Sequence, residues 1–592
     1  MDGITRRLAS RRLLWILLLS LLQSSSPWNV YNVAKIRPPT RLFTSSADPP
    51  SDPSSDSLPL DPDWQSFRAR LIASSKNQSL PTSTPWAYES KGNIERGSLI
   101  LGSCGDVGSM IGFGLRQQYF HKSVMLILEH SDKFTKGIIL NRPQLKKLPP
   151  SLGGFECWFG GDVQNADSLR PDYVCLHTLK GESAKRASMN VCQDVHWTTL
   201  ENARVLIEEG EGTVDDFWVF GGYAGWSGGQ LRDELSRKSW HMASADSHLL
   251  LAEMSRQARD PDLRDAGLST WENLMVLIGL EDQVKRTRNS FPDLMLKEWA
   301  AENLVEKADE EEVDTPPSTQ DILRTTTPVE RLIKSANEAA RGEMIGAGTL
   351  VVAVPKERSP HLLNRQYMHK SLVLLIQDDE VASIGVILNR PSPNGVEITV
   401  SGTKIVKPIL FGGEFSMKDS PPLLWLHNKK SLKAKNLGKP LGLTPNAIYK
   451  CTAREAIKSL EEGTSEVDDF IIVSGVSVWT KGEKGIVRGM KGEIKKGKFE
   501  VVGGEKVNGP GGAWSKITAQ KTISKDSLYF TSSSSESIWK HCVSSVEGRG
   551  EVVYRSDVTC VKLADDALRN WLRMFMTGIE DEEESLGLEG SG

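Results

Sequence analysis

At 592 residues and 65.4 kDa the chain exceeds one ordinary domain of roughly 100–200 residues and predicts several. Its 39% apolar and 25% charged residues describe a soluble globular protein with disordered padding, and a formal net charge of -4 excludes an overall bias toward nucleic acid or anionic membrane. Seven cysteines (Cys104, Cys157, Cys175, Cys192, Cys451, Cys542 and Cys560) are odd in number and never spaced as CxxC, which predicts reduced thiols rather than a metal centre or a disulfide framework.

Residues 1–60 form an address and a spacer. Arg6, Arg7, Arg11 and Arg12 precede an apolar run from Leu13 to Leu22 that is too short to span a bilayer core needing about 20 residues. It fits the h-region of a signal peptide, and no stable membrane span is expected once the leader is removed. From Gln23 to Ala47 there is no acidic residue while Lys35, Arg37, Arg41 and many hydroxyl residues appear, which is transit-peptide composition. A bipartite plastid leader is the first reading. A mitochondrial presequence is the rival, with Arg41-Leu42-Phe43-Thr44 as its processing site, and secretion, suited to the sequon Asn77-Gln78-Ser79, is the third. Asp48 to Pro62 reads as a disordered spacer and 61–96 as an N-terminal extension.

From Gly97 onward the chain repeats itself. Gln118-Tyr119-Phe120-His121-Lys122-Ser123 opens a strand-like run, as does Gln366-Tyr367-Met368-His369-Lys370-Ser371, 248 positions later. Gly137 to Pro143, ending Leu140-Asn141-Arg142-Pro143, recurs as Gly385 to Pro391. The continuous aliphatic runs predict strands buried on both faces, stopped by Pro143 and Pro391. Phe159-Gly160-Gly161-Asp162 matches Phe411-Gly412-Gly413-Glu414, and Leu176-His177 matches Leu426-His427. Thr198 with Glu201 and Thr452 with Glu455 have capping-box spacing, and both helices are expected to end at Gly210 and Gly463. Asp215-Asp216-Phe217 and Asp468-Asp469-Phe470 then lead strands that run to Trp226 and Trp479. The resulting division is a first domain over 97–281, a polar linker over 282–341, a second domain over 342–580 with a Lys/Gly-rich insertion at about 485–525, and an acidic tail over 581–592.

The run Gly97 to Pro143, the Phe-Gly-Gly-Asp turn, and Gly222, Tyr223, Trp226, Gly229, Gln230, Leu231 and Glu234, with Trp240 beyond, resemble the AlgH family, also called UPF0301 or DUF179. The second copy resembles it more weakly: Val476 stands where tyrosine belongs and Glu483-Lys484 where Gln-Leu belongs. The resemblance implies an α+β fold, two AlgH-like domains each a bifurcated mixed sheet folded into a pseudo-barrel with flanking helices. Bacterial members are described as candidate regulators of transcription and plant-type members as plastid proteins. No catalytic residue or cofactor is established for the family, and the resemblance assigns none to this chain.

Two sets of residues are candidates for binding. His121, Lys122, Asn141 and Arg142 flank adjacent buried strands and could meet at one sheet end as a phosphate or carboxylate site, joined by Tyr223 and Trp226; strand capping is the competing role. Lys429, Lys430, Lys491, Lys495 and Lys496 mark two basic stretches that would meet nucleic acid or an acidic partner, against the alternative of a solvated lysine face. His177, His427, Asp162, Asp215 and Asp216 read better as structural groups, and no metal ligand set is present in the spacing. The expected function is a regulatory or interaction protein with a protein partner; the alternatives are an enzyme using the His/Asn/Arg pocket and a nucleic-acid-binding regulator. An internal pseudo-dimer of the two copies is a further expectation.

Overall fold

The computed structural model describes residues 64–75, 86–305, 345–543 and 559–576, with breaks at 91–93, 105–116, 145–146, 166–167, 260–264, 266, 355, 357, 401, 416–422, 443–446, 482–488, 503–511 and 521–527. The leader, the sequon, the acidic tail and 306–344 lie outside the described residues. The chain forms two compact units, one holding the described residues of 64–305 and the other those of 345–576.

The first unit holds α1 (Trp64–Ser75), β1 (Ala87–Glu89), β2 (Leu99–Gly102), β3 (Val124–His130), β4 (Phe134–Ile139), β5 (Cys157–Phe159), β6 (Tyr173–His177), α2 (Glu182–Arg186), β7 (Met189–Cys192), β8 (Val195–Thr199), α3 (Leu200–Glu208), β9 (Phe217–Gly221), β10 (Ala224–Ser227), α4 (Gln230–Ser236), β11 (Trp240–Ala245), α5 (Ser247–Arg259), α6 (Leu268–Leu277), α7 (Glu281–Thr287) and α8 (Phe291–Asn303). One sheet is antiparallel with order β1-β11-β2-β3-β4-β10; the other, β5-β9-β6-β8-β7, has one parallel pair, β5 with β9. The sheets are spliced where Ile139 N–H donates to Gly160 O and Phe159 N–H to Arg142 O. Between the sheets lies the main core, with Leu126, Leu140, Trp158, Val174 and Phe220, while Cys175, Phe217 and Val219 turn to the other face against Leu200, Ala203 and Leu206 of α3. Both faces of the second sheet are therefore covered, which is why its strands are apolar without alternation.

The second unit repeats the plan with β12 (Leu350–Ala353), β13 (Leu372–Asp378), β14 (Ala382–Ile387), β15 (Pro391–Val400), β16 (Thr403–Phe411), β17 (Leu423–His427), α9 (Lys430–Ala434), β18 (Lys439–Leu441), β19 (Ile448–Cys451), α10 (Ala453–Glu461), β20 (Phe470–Ser474), β21 (Ser477–Thr480), α11 (Gly489–Lys495), β22 (Phe499–Val501), α12 (Ala513–Thr518), α13 (Leu528–Val543) and α14 (Thr559–Met576). Its sheets run β21-β14-β13-β12-β22 and β15-β16-β20-β17-β19-β18. Even the irregularities recur: the register slips between Ile127 and Glu129 in β3 and between Leu375 and Gln377 in β13. The hairpin β15–β16, paired from Pro391↔Leu410 to Val400↔Thr403, is longer than the loop that precedes β5.

In the first unit one carboxylate draws the sheet into its pseudo-barrel. Glu234 Oε2 accepts from Trp226 Nε1 at 3.0 Å and from Trp240 Nε1 at 2.7 Å. These tryptophans sit on β10 and β11 near opposite ends of the strand order, so α4 clamps the ends without strand-to-strand closure. No closed barrel forms among the described residues. Gln230 completes the lock: its Oε1 accepts from Ser227 N and its Nε2 donates to Glu234.

Three sequence expectations change. The domain does not stop at 281: α7 and α8 bury Val284, Met295, Leu296 and Trp299, because their apolar spacing, diluted by charges, still gives one apolar face each. The stretch at 485–525 is not a plain insertion, since α11 and β22 take the places of α4 and β11, and β22 pairs with β12 as β11 pairs with β2. Gly489 and Met490 there occupy the places of Gln230 and Leu231; Glu483-Lys484 lie outside the described residues. Finally, the capping box forms in full at Thr452/Glu455, whereas α3 is capped one residue later by Thr199, which accepts from Asn202 N, because Thr198 stays in β8 and donates to Ala187 O. Gly210 and Gly463 end their helices at φ 76° and 65°.

Replacing Glu234 by Ala leaves two buried indole N–H groups without this acceptor and should cost about 2–6 kcal/mol of first-domain stability, at roughly 1–3 kcal/mol for each stranded group. Urea unfolding followed by tryptophan fluorescence measures it; a loss below about 0.5 kcal/mol, the level of an ordinary surface substitution, would show that the clamp is dispensable.

Candidate functional site

The predicted His-Lys and Asn-Arg pairs do converge, and a helix that the sequence pattern hides completes them. Lys122 and Lys370 have left-handed backbones at φ 49° and 54°, which cost about 1 kcal/mol each. That turn directs both the histidine and the lysine side chains to one carboxylate. His121 Nε2 lies 2.7 Å from Asp293 Oδ1, and Lys122 Nζ lies 2.9 Å from Asp293 Oδ2 and 3.1 Å from Thr287 O. Lys122 is wholly buried, with its ammonium 5.0 Å from the Trp271 ring centroid. The second domain reproduces the arrangement: Asp565 accepts from Lys370 at 2.7 Å and lies 3.0 Å from His369 Nε2, with Trp539 beneath the lysine at 5.5 Å.

Asn141 and Arg142 serve the main chain around this group. Asn141 Oδ1 accepts from Val124 N, and its Nδ2 donates to Lys122 O and to Gly267 O. Arg142 donates to Tyr119 O at 3.2 Å, Asn141 O at 2.8 Å and His121 O at 2.5 Å. Asn389 and Arg390 make the matching bonds to Leu372, Lys370 and Ser535 and to Tyr367, Asn389 and His369. An incoming phosphate would have to displace these carbonyls. Burial pulls the Arg142 and Arg390 pKa down to about 9, so both stay charged at neutral pH.

Burial, reinforced by the neighbouring Lys122 and Arg142 cations, pushes the His121 pKa down despite Asp293. Burial opposes ionisation of Asp293, yet the bond from His121 and the charge of Lys122 outweigh it and hold the carboxyl below its usual range. The site at neutral pH is thus a neutral imidazole and a Lys–Asp ion pair. Aromatic rings seal it: Tyr119, Phe159 and Trp299 stand 5.1–5.5 Å apart, as do Tyr367, Phe411 and Trp571 at 5.1–5.4 Å. Asp293 and Trp299 share their six-residue spacing with Asp565 and Trp571, a repeat legible in the sequence but hidden in segments whose further likeness is slight, Leu296 with Leu568 and Lys297 with Arg569.

The second copy is the looser one. Lys370 is 12% exposed and Asp565 22%, Glu536 adds a carboxylate 3.1 Å from Lys370, and a cavity of about 40 Å³ opens beside Arg390, Asp565 and Leu568. That volume admits a few waters, each needing roughly 10–15 Å³.

Trp226 is 4% exposed and held by Glu234. Tyr223 is different. The Lys136 ammonium sits 4.5 Å above its ring and 5.4 Å from the Trp197 ring, and is fixed by Asp172 at 2.7 Å. Tyr223 is partly exposed, flanked by Phe134 at 6.4 Å, and Phe134 and Val163 are open to solvent. Gly222, at φ 79°, can carry no side chain there, since a Cβ would meet Gly161 O at 2.5 Å. In the second domain the positions of Phe134, Lys136, Asp172, Trp197 and Tyr223 hold Ala382, Ile384, Pro422, Lys450 and Val476. The cluster is lost as a unit.

Of the lysines, Lys429 pairs with Asp469 at 2.6 Å and Lys430 opens α9, whereas Lys491, Lys495 and Lys496 lie exposed on and just after α11, beside the other sheet. The remaining polar candidates are structural: His177 Nε2 meets Ser188 Oγ at 2.7 Å, His427 Nε2 meets Leu437 O at 2.9 Å, Asp162 accepts from Tyr119 OH at 2.7 Å, and Asp216 caps Thr213 N. Six of the cysteines are free thiols, and among the described residues no helix is long and apolar enough to cross a membrane.

Removing the carboxylate in Asp293→Ala strands a buried ammonium and should destabilise the first domain by about 3–5 kcal/mol, the usual cost of breaking a buried pair. Asp565→Ala, at a half-open site, should cost less. Equal losses in denaturant titrations would contradict the difference in burial. The lowered His121 and His369 pKa values also have a pH signature. The unfolded chain binds the proton first, so stability is full above a pH of about 6.5 and falls as pH drops from there through the folded-state values. His121→Gln should flatten that fall for the first domain. An unchanged slope between about pH 7 and about pH 5, where histidine changes charge, would assign the fall to other groups.

Known proteins share this sequence pattern. The AlgH-like (DUF179) family model matches residues 111–279 and 358–505. A UPF0301 protein of Chlorobaculum parvum is 31% identical over 159 residues, spanning 26% of this chain and 81% of its own, and one of Delftia acidovorans is 28% identical over 172 residues, spanning 27% and 86%. Among solved structures, the AlgH protein of Pseudomonas aeruginosa aligns at 20% identity with a TM-score of 0.23, covering 34% of this chain and 98% of that one. The chain belongs to the AlgH-like family and carries its domain twice, one copy clear and one diverged.

Proposed function

We propose that this is a regulatory or interaction protein of an organelle, a plastid first and a mitochondrion second, that binds a protein partner through the first-domain surface around Tyr223. One observation carries the reading. Within the Gly-Tyr-x-x-Trp segment the other motif residues are engaged inside the domain: Gly222 makes the turn, Trp226, Gln230 and Glu234 form the clamp, and Leu231 is buried. Tyr223 presents a partly exposed ring, backed by the Lys136–Asp172 pair and rimmed by exposed Phe134 and Val163. Exposed aromatic residues are enriched at interface hot spots. The His121, Lys122, Asn141 and Arg142 donors, by contrast, are bonded within the domain, which favours a binding role for the chain over a catalytic one.

The organellar part rests on the acid-free, basic leader of residues 23–47, and a fluorescent reporter carrying residues 1–60 tests it by compartment. For the surface, the partner is captured by cross-linking in an organelle extract and then titrated as a purified protein. Tyr223→Ala and Lys136→Ile, the second domain's residue at that place, should each weaken binding by at least tenfold, about 1.4 kcal/mol, at a temperature where unfolding curves show each variant still folded. Wild-type affinity in both variants would remove the surface from consideration.

A further inference from the structure

From Asn428 to Thr452 the second domain carries Lys429, Lys430, Lys433, Lys435, Lys439 and Lys450 and no acidic residue. The matching stretch of the first domain, Thr178 to Thr199, contains Glu182 and Asp194. Tertiary structure gathers these lysines about one sheet edge, formed by α9, β18 and β19. Lys439 and Lys450 are register partners, side by side on adjacent strands, where the first domain pairs Met189 with Trp197. Like charges directly opposite one another destabilise a sheet. Lys430 also disfavours the charge on Lys433, whose pKa is lowered first by burial and then by that neighbour. Among the described residues Lys430, Lys433, Lys435, Lys439 and Lys450 form no ion pair; Glu455 senses Lys439 beyond pairing distance, and Lys429 is held by Asp469. The edge thus keeps like charges on register partners where the first domain has none.

We infer that this lysine edge binds single-stranded nucleic acid. A polyanion relieves the Lys439–Lys450 repulsion, and release of its counterions supplies the driving force. Three features choose among polyanions. Pro440 lies between Lys439 and Leu441 on the edge strand and has no N–H, which disfavours addition of an acidic peptide as a further strand. No large apolar side chain is exposed on α9, β18 or β19 to enter a membrane surface. Tyr449, half-buried with Lys433 Nζ 5.5 Å over its ring and the buried His427 ring 5.4 Å from it, puts one aromatic side chain among the charges, and a base would stack on it by displacing the lysine, as single-strand binders use aromatic platforms. The inference deepens the interaction-protein reading and rests on it, but on the other domain's surface.

The test uses the full chain without its leader and a fluorescein-labelled, mixed-sequence single-stranded RNA, with anisotropy measured across a salt series. Each lysine lost should reduce the slope of log K against log salt by roughly 0.7, so Lys439→Gln with Lys450→Gln should lower it by about 1.4. The same double variant should unfold no earlier than the wild type, because a repulsion has been removed; binding and stability then move in opposite directions. Tyr449→Leu should weaken binding while leaving the slope unchanged. Tyr223→Ala should bind RNA as the wild type does, so failure of the first-domain surface leaves this result standing. An unaltered slope in the double variant, loss of binding only in Lys491→Gln/Lys495→Gln/Lys496→Gln, or tighter binding of an oligoglutamate peptide or anionic vesicles than of RNA would each overturn the assignment.

Discussion

A lysine shut away from water needs a carboxylate beside it, and the fold of each domain depends on where that carboxylate comes from. Desolvating an ammonium costs several kcal/mol, which only a close, well-bonded anion offsets. Lys122 finds Asp293 and Lys370 finds Asp565, each carried by the last described helix of its domain. The ion pair therefore acts as a clasp. It fixes the terminal helix against the His-Lys turn, and the neighbouring ring triad of tyrosine, phenylalanine and tryptophan packs behind it. Asn141 and Arg142 then hold the turn in its left-handed shape through four main-chain carbonyls and one amide. Residues that look in sequence like an anion pocket are largely engaged in making this clasp rigid.

The two copies kept the clasp and diverged around it. In the first, Glu234 ties Trp226 to Trp240 across the ends of the sheet; in the second, Phe499 replaces the second indole and Glu493 turns to Lys498 at 3.1 Å. Apolar contact between Trp479 and Phe499, centroids 6.1 Å apart, maintains the curvature there. The second clasp is also more open, with a second carboxylate and a small cavity. The Tyr223 cluster disappears while the lysine edge arises, and the same position holds Trp197 in one copy and Lys450 in the other. Duplication preserved the packing problem and released the surface.

Much of the plan was legible in the chain. The 248-residue repeat, the buried strands and the terminating glycines Gly210 and Gly463 follow from apolar periodicity and from local backbone chemistry, whereas β4 and β14 end at Ile139 and Ile387, before Pro143 and Pro391, and Pro391 opens β15. Local rules erred where two options lay one residue apart, as at Thr198 and Thr199, since either hydroxyl can cap and only the length of β8 selects the second. They erred again where charges dilute a helical pattern, so that α8 read as linker and α11 as insertion.

What the sequence determined by itself is what depends on neighbours in the chain: the duplication, the strand cores, the turns and caps, and the family to which the chain belongs. What only the tertiary structure decided is which polar groups satisfy one another. Asp293 stands 171 residues from Lys122, Glu234 joins two strands from separate ends of a sheet, and Lys439 faces Lys450 across a ladder. Spacing along the chain carries no information about such pairs, because burial makes them obligatory only after the sheets have folded and excluded water.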